Sequence, residues 1–186
     1  MKLIKISNNK EIMVFDDLIP YATRSGIYRF INSSLFRPDG KDAGYPEDAG
    51  EYHLYSSYSK DDLNNMKFLE IPEIQPILKY VEGYDIQQIR VNLSTLNDKN
   101  HFHSDGNNTK ASIKTLIYYP NMKWNIEWGG HTLFADESIS DIEYCTLYKP
   151  GRIILFDGSI PHCILPPTNL APSYRYSFVI QYIKNL

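Results

Sequence analysis

The chain has 186 residues, enough for one domain with a substantial core and too few for two ordinary ones. Its 19 basic and 22 acidic residues leave a formal charge of −3, so nothing in the charge balance calls for a polyanion and no nucleic-acid partner is expected. Two cysteines, Cys145 and Cys163, cannot build a disulfide framework at this size, and no apolar run reaches membrane-spanning length, which points to a soluble, cytoplasmic protein with no membrane partner.

The first ten residues alternate apolar and charged side chains where a signal peptide would need a continuous apolar block. Residues 2–6 and Glu11–Phe15 read as strands. Asp16 and Asp17 are placed to cap a helix over about Pro20–Ser33, in which Tyr21, Ile27, Tyr28, Phe30 and Ile31 recur at roughly helical spacing. Residues 36–60 are rich in Gly, Pro, Asp and Tyr and read as one long loop, a candidate substrate lid. Within it Tyr45 and His53 either face a substrate or are simply exposed. Asp61 and Asp62 introduce a short helix over Leu63–Leu69. Pro72–Tyr80 supplies a second, with Ile74, Ile77 and Leu78 on its buried face. Residues 1–83 are thus expected to bring helices and the loop, and residues 84–186 a strand-rich core. The whole is read as one domain.

Tyr84–Leu96 alternates cleanly, with Gln88, Arg90, Asn92 and Ser94 on one face and Ile89, Val91 and Leu93 on the other. If the polar face lines a cavity, Arg90 and Asn92 are substrate contacts; if it is an outer face, they are only solvated. Next comes His101-Phe-His103-Ser-Asp105, two imidazoles and a carboxylate within five residues. In an extended segment His103 and Asp105 project to the same side, where a third ligand from elsewhere completes one face of a metal. His162, after a strand-like run and a turn, is the downstream candidate. Two histidines and a carboxylate leave about three open positions on an octahedral ion, which suits Fe(II) and oxygen chemistry. His101 is a supporting or substrate contact, and His131 is a rival ligand on the wrong motif.

Ala111–Tyr119 reads as a strand ended by Pro120, and Trp124–Trp128 as a connector. Gly129 and Gly130 permit a tight turn into the strand His131–Phe134. Gly151–Phe156 is a nearly continuous apolar strand, and Asp157-Gly158 is a hairpin signal before His162. In the last strand Arg175, Ser177, Val179 and Gln181 alternate against Tyr174, Tyr176, Phe178 and Ile180, so Arg175 and Ser177 share a face as a carboxylate anchor requires.

Taken in order, His103-Ser-Asp105, Ile117-Tyr118-Tyr119, Trp128-Gly129-Gly130, Gly151-Arg-Ile-Ile-Leu-Phe156, His162 and Arg175-Tyr-Ser177 resemble the 2-oxoglutarate and Fe(II)-dependent oxygenases, in particular the prolyl-hydroxylase-like branch. The resemblance runs from about residue 88 to the C-terminus. It implies a mainly β fold with flanking helices around a double-stranded β-helix, the jelly-roll or cupin-like core. It also implies iron ligation by His103, Asp105 and His162, with Arg175 pairing the distal carboxylate of 2-oxoglutarate, Tyr119 hydrogen-bonding it and Ser177 assisting. The implied activity couples decarboxylation of 2-oxoglutarate to succinate with O2-dependent hydroxylation of an unactivated C–H bond, with ascorbate as reductant in vitro. The implied substrate is a prolyl residue in a peptide or protein. Arg90, Asn92, His101 and Trp128 are the candidate substrate contacts.

The chain departs from many members of that family just upstream of the metal motif, where Leu93 and Asn97-Asp98 stand in place of a tyrosine and a glycine. Other readings stay open. A free amino acid or other small metabolite would need a charged group such as Arg90 to hold it. A zinc hydrolase would want a second base, and no His-Glu-x-x-His is present. A metal-free ligand-binding jelly roll leaves the ordered set His103, Asp105, His162 and Arg175 unexplained.

Overall fold

The structure, a computed structural model, describes residues 1–38, 54–98, 100–106 and 111–185. Tyr45 and His53, the lid contacts expected from sequence, lie outside them. In chain order the elements are β1 (Lys2–Lys5), β2 (Glu11–Phe15), α1 (Tyr21–Asn32), β3 (Arg37–Pro38), β4 (Leu54–Ser57), α2 (Lys60–Asn65), α3 (Gln75–Leu78), β5 (Asp85–Ser94), β6 (Ser112–Tyr118), β7 (Thr132–Ala135), β8 (Ile142–Thr146), β9 (Ile153–Asp157), β10 (His162–Ile164) and β11 (Arg175–Lys184). Among the described residues the strands form two antiparallel sheets, ordered β1-β2-β9-β6-β11-β5-β4-β3 and β10-β7-β8. This is the mainly β, helix-flanked architecture expected from the sequence.

The alternation of side chains explains the layering. On one face of the larger sheet Leu116, Leu155, Phe178 and Ile180 pack with Ile27 and Ile31 of α1, Leu63 of α2 and Phe68. On the other face Val14, Ile117, Ile154, Phe156 and Val179 meet Phe134 of the smaller sheet. Strands β2, β6, β9 and β11 are therefore covered on both faces and read as nearly continuous apolar runs. β5 differs: Ile89, Val91 and Leu93 face the helices, while its polar residues lie opposite. Its register with β11 sets Arg90 beside Val179, Asn92 beside Ser177 and Ser94 beside Arg175.

Several expectations need correction. Asp16 does not cap α1, whose N-cap is Pro20 with no side-chain hydrogen bond. It lies at the end of β2 next to β9, and Arg152 grips it through Nε at 2.7 Å and Nη2 at 2.9 Å. The stretch 36–60 is not all loop, because β4 pairs with β5 and extends the sheet beyond an otherwise open edge. α2 starts at Lys60 rather than Leu63, since the Ser59 hydroxyl accepts the Asp62 N–H and the Asp62 carboxylate accepts the Ser59 N–H in a capping box. Pro72–Tyr80 is not one helix but a 3-10 turn, the four-residue α3 and a second 3-10 turn. Pro76 lacks the backbone donor that a helix continuous from Pro72 would need there.

Asp157-Gly158 does not close a hairpin either. β9 belongs to the larger sheet and β10 to the smaller, so the chain crosses between sheets there. Gly158 is pinned at the crossing, donating to the Ile113 carbonyl at 2.8 Å and accepting from the Asp105 N–H at 2.7 Å. Among the described residues no helix is long and apolar enough to cross a membrane.

Candidate active site

His103, Asp105 and His162 converge, with one ligating atom from each lying within 4.8 Å of the others. Backbone pairing brings them together. His103 and His162 form a β-bridge, which sets their rings 4.5 Å apart between centroids. Asp105 is fixed by its hydrogen bond to Gly158, where a Cβ would stand 2.6 Å from Ile113 Cγ2 and 3.1 Å from Asp105 Cβ. Only glycine permits that approach.

The ring orientations suit a cation. His103 Nδ1 lies 3.1 Å from the His101 carbonyl oxygen, and His162 Nδ1 lies 2.9 Å from that of Ile160. A carbonyl can only accept, so each Nδ1 carries the proton and each Nε2 keeps its lone pair for a metal. His162 Nε2 is 3.9 Å from Asp105 Oδ2. Burial lowers the His162 pKa to about 4, against the opposing pull of Asp105, so the ring is neutral at neutral pH. Thr115 of β6 donates a hydrogen bond to Asp105 Oδ2 and orients the carboxylate. His103 is exposed and His162 buried, so the trio opens to solvent on the His103 side.

A cavity of about 230 Å³ adjoins the trio. The polar face of β5 lines it with Gln88, Arg90, Asn92 and Ser94, joined by His101, while Ile117, Ile164 and Val179 form an apolar wall. That face is therefore an inner one. The Arg90 guanidinium stands over the Tyr55 ring at 5.3 Å, and Asn92 Oδ1 is buried without a hydrogen-bond partner among the described residues. Trp128, expected as a substrate contact, is not part of this wall. It ends a 3-10 turn that Asn125 caps, and packs edge-on against Trp124 with centroids 5.5 Å apart. The turn sends its side chain there instead of into the cavity.

Arg175 opens β11 and is wholly buried. Nε donates to the Gly130 carbonyl at 2.7 Å, but Nη1 and Nη2 have no hydrogen-bond partner among the described residues. The Tyr119 and Tyr148 rings lie 5.2 and 4.8 Å from the guanidinium carbon. Burial lowers the Arg175 pKa, and both tyrosines act in the opposite direction. Gly130, at φ +75°, is where the close approach happens, since a Cβ there would stand 2.9 Å from Arg175 Cδ. Ser177 Oγ is also buried without a hydrogen-bond partner among the described residues. Orphaned donors on a buried cation form a site shaped for an anion, and a planar guanidinium matches a carboxylate in two-pronged fashion. Tyr119, expected on that carboxylate, has its hydroxyl 2.7 Å from Thr132 Oγ1, and burial raises its pKa. The residues present thus fit a metal held by two imidazoles and a carboxylate, and a carboxylate-bearing co-substrate.

His131 stays out of the trio. Its Nδ1 accepts from the Tyr148 N–H at 3.4 Å, and burial followed by the nearby Arg175 charge lowers its pKa. Thr115 and Tyr148 were missed in the sequence. The alternation of Thr115 with Ile117 and Tyr119 along β6 could have placed it on the inner face. Tyr148 lies beyond β8 in a stretch without periodic signal.

At the level of sequence no family model and no curated protein matches the chain. Solved structures do. One is a prolyl hydroxylase from Trichoplax adhaerens in complex with a hypoxia inducible factor oxygen degradation domain peptide fragment, 16% identical, with a TM-score of 0.68 over 92% of this chain and 82% of that one. A second is the viral collagen prolyl hydroxylase of Paramecium Bursaria Chlorella virus-1 in a 2OG complex, 13% identical, with a TM-score of 0.63 over 94% and 96% of the two chains. A third is the non-heme alpha ketoglutarate dependent epimerase SnoN from nogalamycin biosynthesis, 12% identical, with a TM-score of 0.67 over 93% and 78%. At such identities the likeness is one of fold: the chain has the double-stranded β-helix fold of 2-oxoglutarate and Fe(II) oxygenases.

Proposed function

We propose that this protein is a 2-oxoglutarate- and Fe(II)-dependent oxygenase that hydroxylates an unactivated C–H bond, its catalytic domain spanning residues 1–186. The observation that carries the reading is the convergence of His103, Asp105 and His162, together with a buried Arg175 guanidinium whose two Nη atoms lack hydrogen-bond partners among the described residues. His103, Asp105 and His162 would hold the iron. When bound, iron with 2-oxoglutarate and O2 supplies the oxidant that no acid or base of the protein can provide, while 2-oxoglutarate ends as succinate and carbon dioxide. Arg175, with Ser177 beside it, anchors the distal carboxylate of the co-substrate. Thr115 keeps the Asp105 carboxylate turned toward the metal, and the two Nδ1–H bonds keep the imidazoles so. Ile117, Ile164 and Val179 exclude water from one wall of the cavity, and Arg90, Asn92 and His101 orient the substrate from the other. Ascorbate would keep the metal ferrous in an assay. Cys145 and Cys163 are free thiols, which supports residence in a reducing cytoplasm.

For the substrate, a prolyl residue in a peptide or protein is the first reading, supported by the prolyl hydroxylases among the proteins of similar fold. The second is a free amino acid or other small metabolite, supported by the polar wall of the cavity, with Arg90 as the group for its carboxylate. Purified protein with Fe(II), ascorbate and 2-oxoglutarate should release succinate, and the rate with proline-containing peptides is compared with that on free amino acids. Stimulation by free proline alone, lost in Arg90→Ala, would remove the peptide reading. Absence of both 2-oxoglutarate binding and succinate release would remove the oxygenase reading in favour of a ligand-binding jelly roll.

A further inference from the structure

The Arg175 guanidinium is braced from a residue far from it in sequence. Tyr148, on the segment between β8 and β9, is 3% exposed, and its ring lies against the guanidinium while stacking on Tyr119 at 4.3 Å and 19°. Its hydroxyl sits between Asn121 Oδ1 and the Tyr176 carbonyl oxygen, 2.8 Å from the latter. Asn121 in turn donates from Nδ2 to the Tyr174 carbonyl at 2.9 Å and accepts from the Tyr176 N–H at 3.0 Å. Tyr148 and Asn121 therefore grip the backbone on both sides of Arg175, while the Tyr148 ring carries the face of its side chain. A buried tyrosine hydroxyl needs a hydrogen-bond partner in any role, and here the partners are the Tyr176 carbonyl, on the backbone that flanks Arg175, and Asn121, which holds that backbone. A buried cation with two orphaned nitrogens is costly until an anion arrives, and an aromatic face is among the few groups that steady it without titrating.

We propose that Tyr148 is a positioning residue for the co-substrate, acting through Arg175. The ring sets how deep the guanidinium sits and hence its reach from His103, Asp105 and His162, which selects the length of the 2-oxo diacid that is bound. This rests on the oxygenase reading. The consequence is a length preference for the five-carbon diacid over its six-carbon homologue that depends on the aromatic ring at residue 148.

The test is calorimetric binding, without turnover, of 2-oxoglutarate and 2-oxoadipate to Mn(II)-loaded wild type, Tyr148→Met and Tyr148→Phe. Tyr148→Met should weaken 2-oxoglutarate about tenfold, because the guanidinium is no longer held where the carboxylate docks and must be ordered on binding. It should also narrow the preference over 2-oxoadipate and leave Mn(II) affinity unchanged, and Tyr148→Phe should restore most of the binding. Should the methionine variant not fold, Tyr148→Leu, which also removes the ring, is read the same way. If wild type itself binds no 2-oxoglutarate, the oxygenase reading falls and this inference with it. If wild type binds and the ring-less variant shows an unchanged diacid preference, or loses both diacids and Mn(II) together, Tyr148 is only a core residue and the inference alone is overturned.

Discussion

His103 and His162 exchange a pair of backbone hydrogen bonds, from the His103 N–H to the His162 carbonyl at 3.1 Å and from the His162 N–H to the His103 carbonyl at 2.8 Å. The two imidazoles are thus set by main-chain pairing between the segment after β5 and the first residue of β10. Their spacing does not depend on the rotamer of any third side chain.

Removing a ligand should therefore remove metal binding without unfolding the scaffold. His162→Ala and Asp105→Ala are each expected to lose Fe(II) or Mn(II) binding in calorimetric titration, with little change in melting temperature for the exposed His103→Ala. His101→Ala should be milder, because what His101 offers to His103 Nδ1 is its backbone carbonyl, which survives the substitution. A triple variant of His103, Asp105 and His162 that bound metal like wild type would refute the assignment.

Thr115 tests the support of the carboxylate. Thr115→Val keeps the shape of β6 but removes the donor to Asp105, at a cost of about 1.5–3 kcal/mol for a hydrogen bond to a charged group. Metal affinity should fall by about tenfold or more in Thr115→Val and hold in Thr115→Ser. Equal affinities in the two variants would mean that Asp105 needs no orienting partner.

Arg175 separates binding from stability. Its charge is buried and its two Nη atoms lack hydrogen-bond partners among the described residues, so Arg175→Met should keep or raise thermal stability. The same change should weaken 2-oxoglutarate by about 2–5 kcal/mol, and Tyr119→Phe by about 1 kcal/mol. A large loss of stability with unchanged 2-oxoglutarate binding would make Arg175 purely structural.

Acid sensitivity is expected from Asp16. The Arg152 hydrogen bond, opposed by burial, holds its pKa below the ordinary 3.8. A depressed folded-state pKa contributes stability that is present above the unfolded value and is lost as pH falls through the folded one. Asp16→Asn should thus melt lower than wild type near neutral pH, and the gap should close as pH drops below 3.8. A gap that persists at low pH would show that the pair contributes through shape and not charge.

Much of the chemistry could be read without coordinates because it is encoded in local periodicity. Alternation along β5 and β11 assigns Arg90, Asn92, Arg175 and Ser177 to one side of their strands, and the His-x-Asp spacing sets His103 and Asp105 together. Alternation does not say whether that side meets water or a second sheet. The smaller sheet answered that, and its strands β8 and β10 are too short to show a period of their own. Long-range pairing also made β4 a strand and carried the chain across sheets at Gly158, while the short turn over Ile126–Trp128 set Trp128 against Trp124 and away from the cavity. Tyr148 shows the limit most clearly. No local pattern marks it, because its place under Arg175 comes from the packing of the segment before β9 against the first residue of β11, a contact between stretches whose sequences carry no mark of each other.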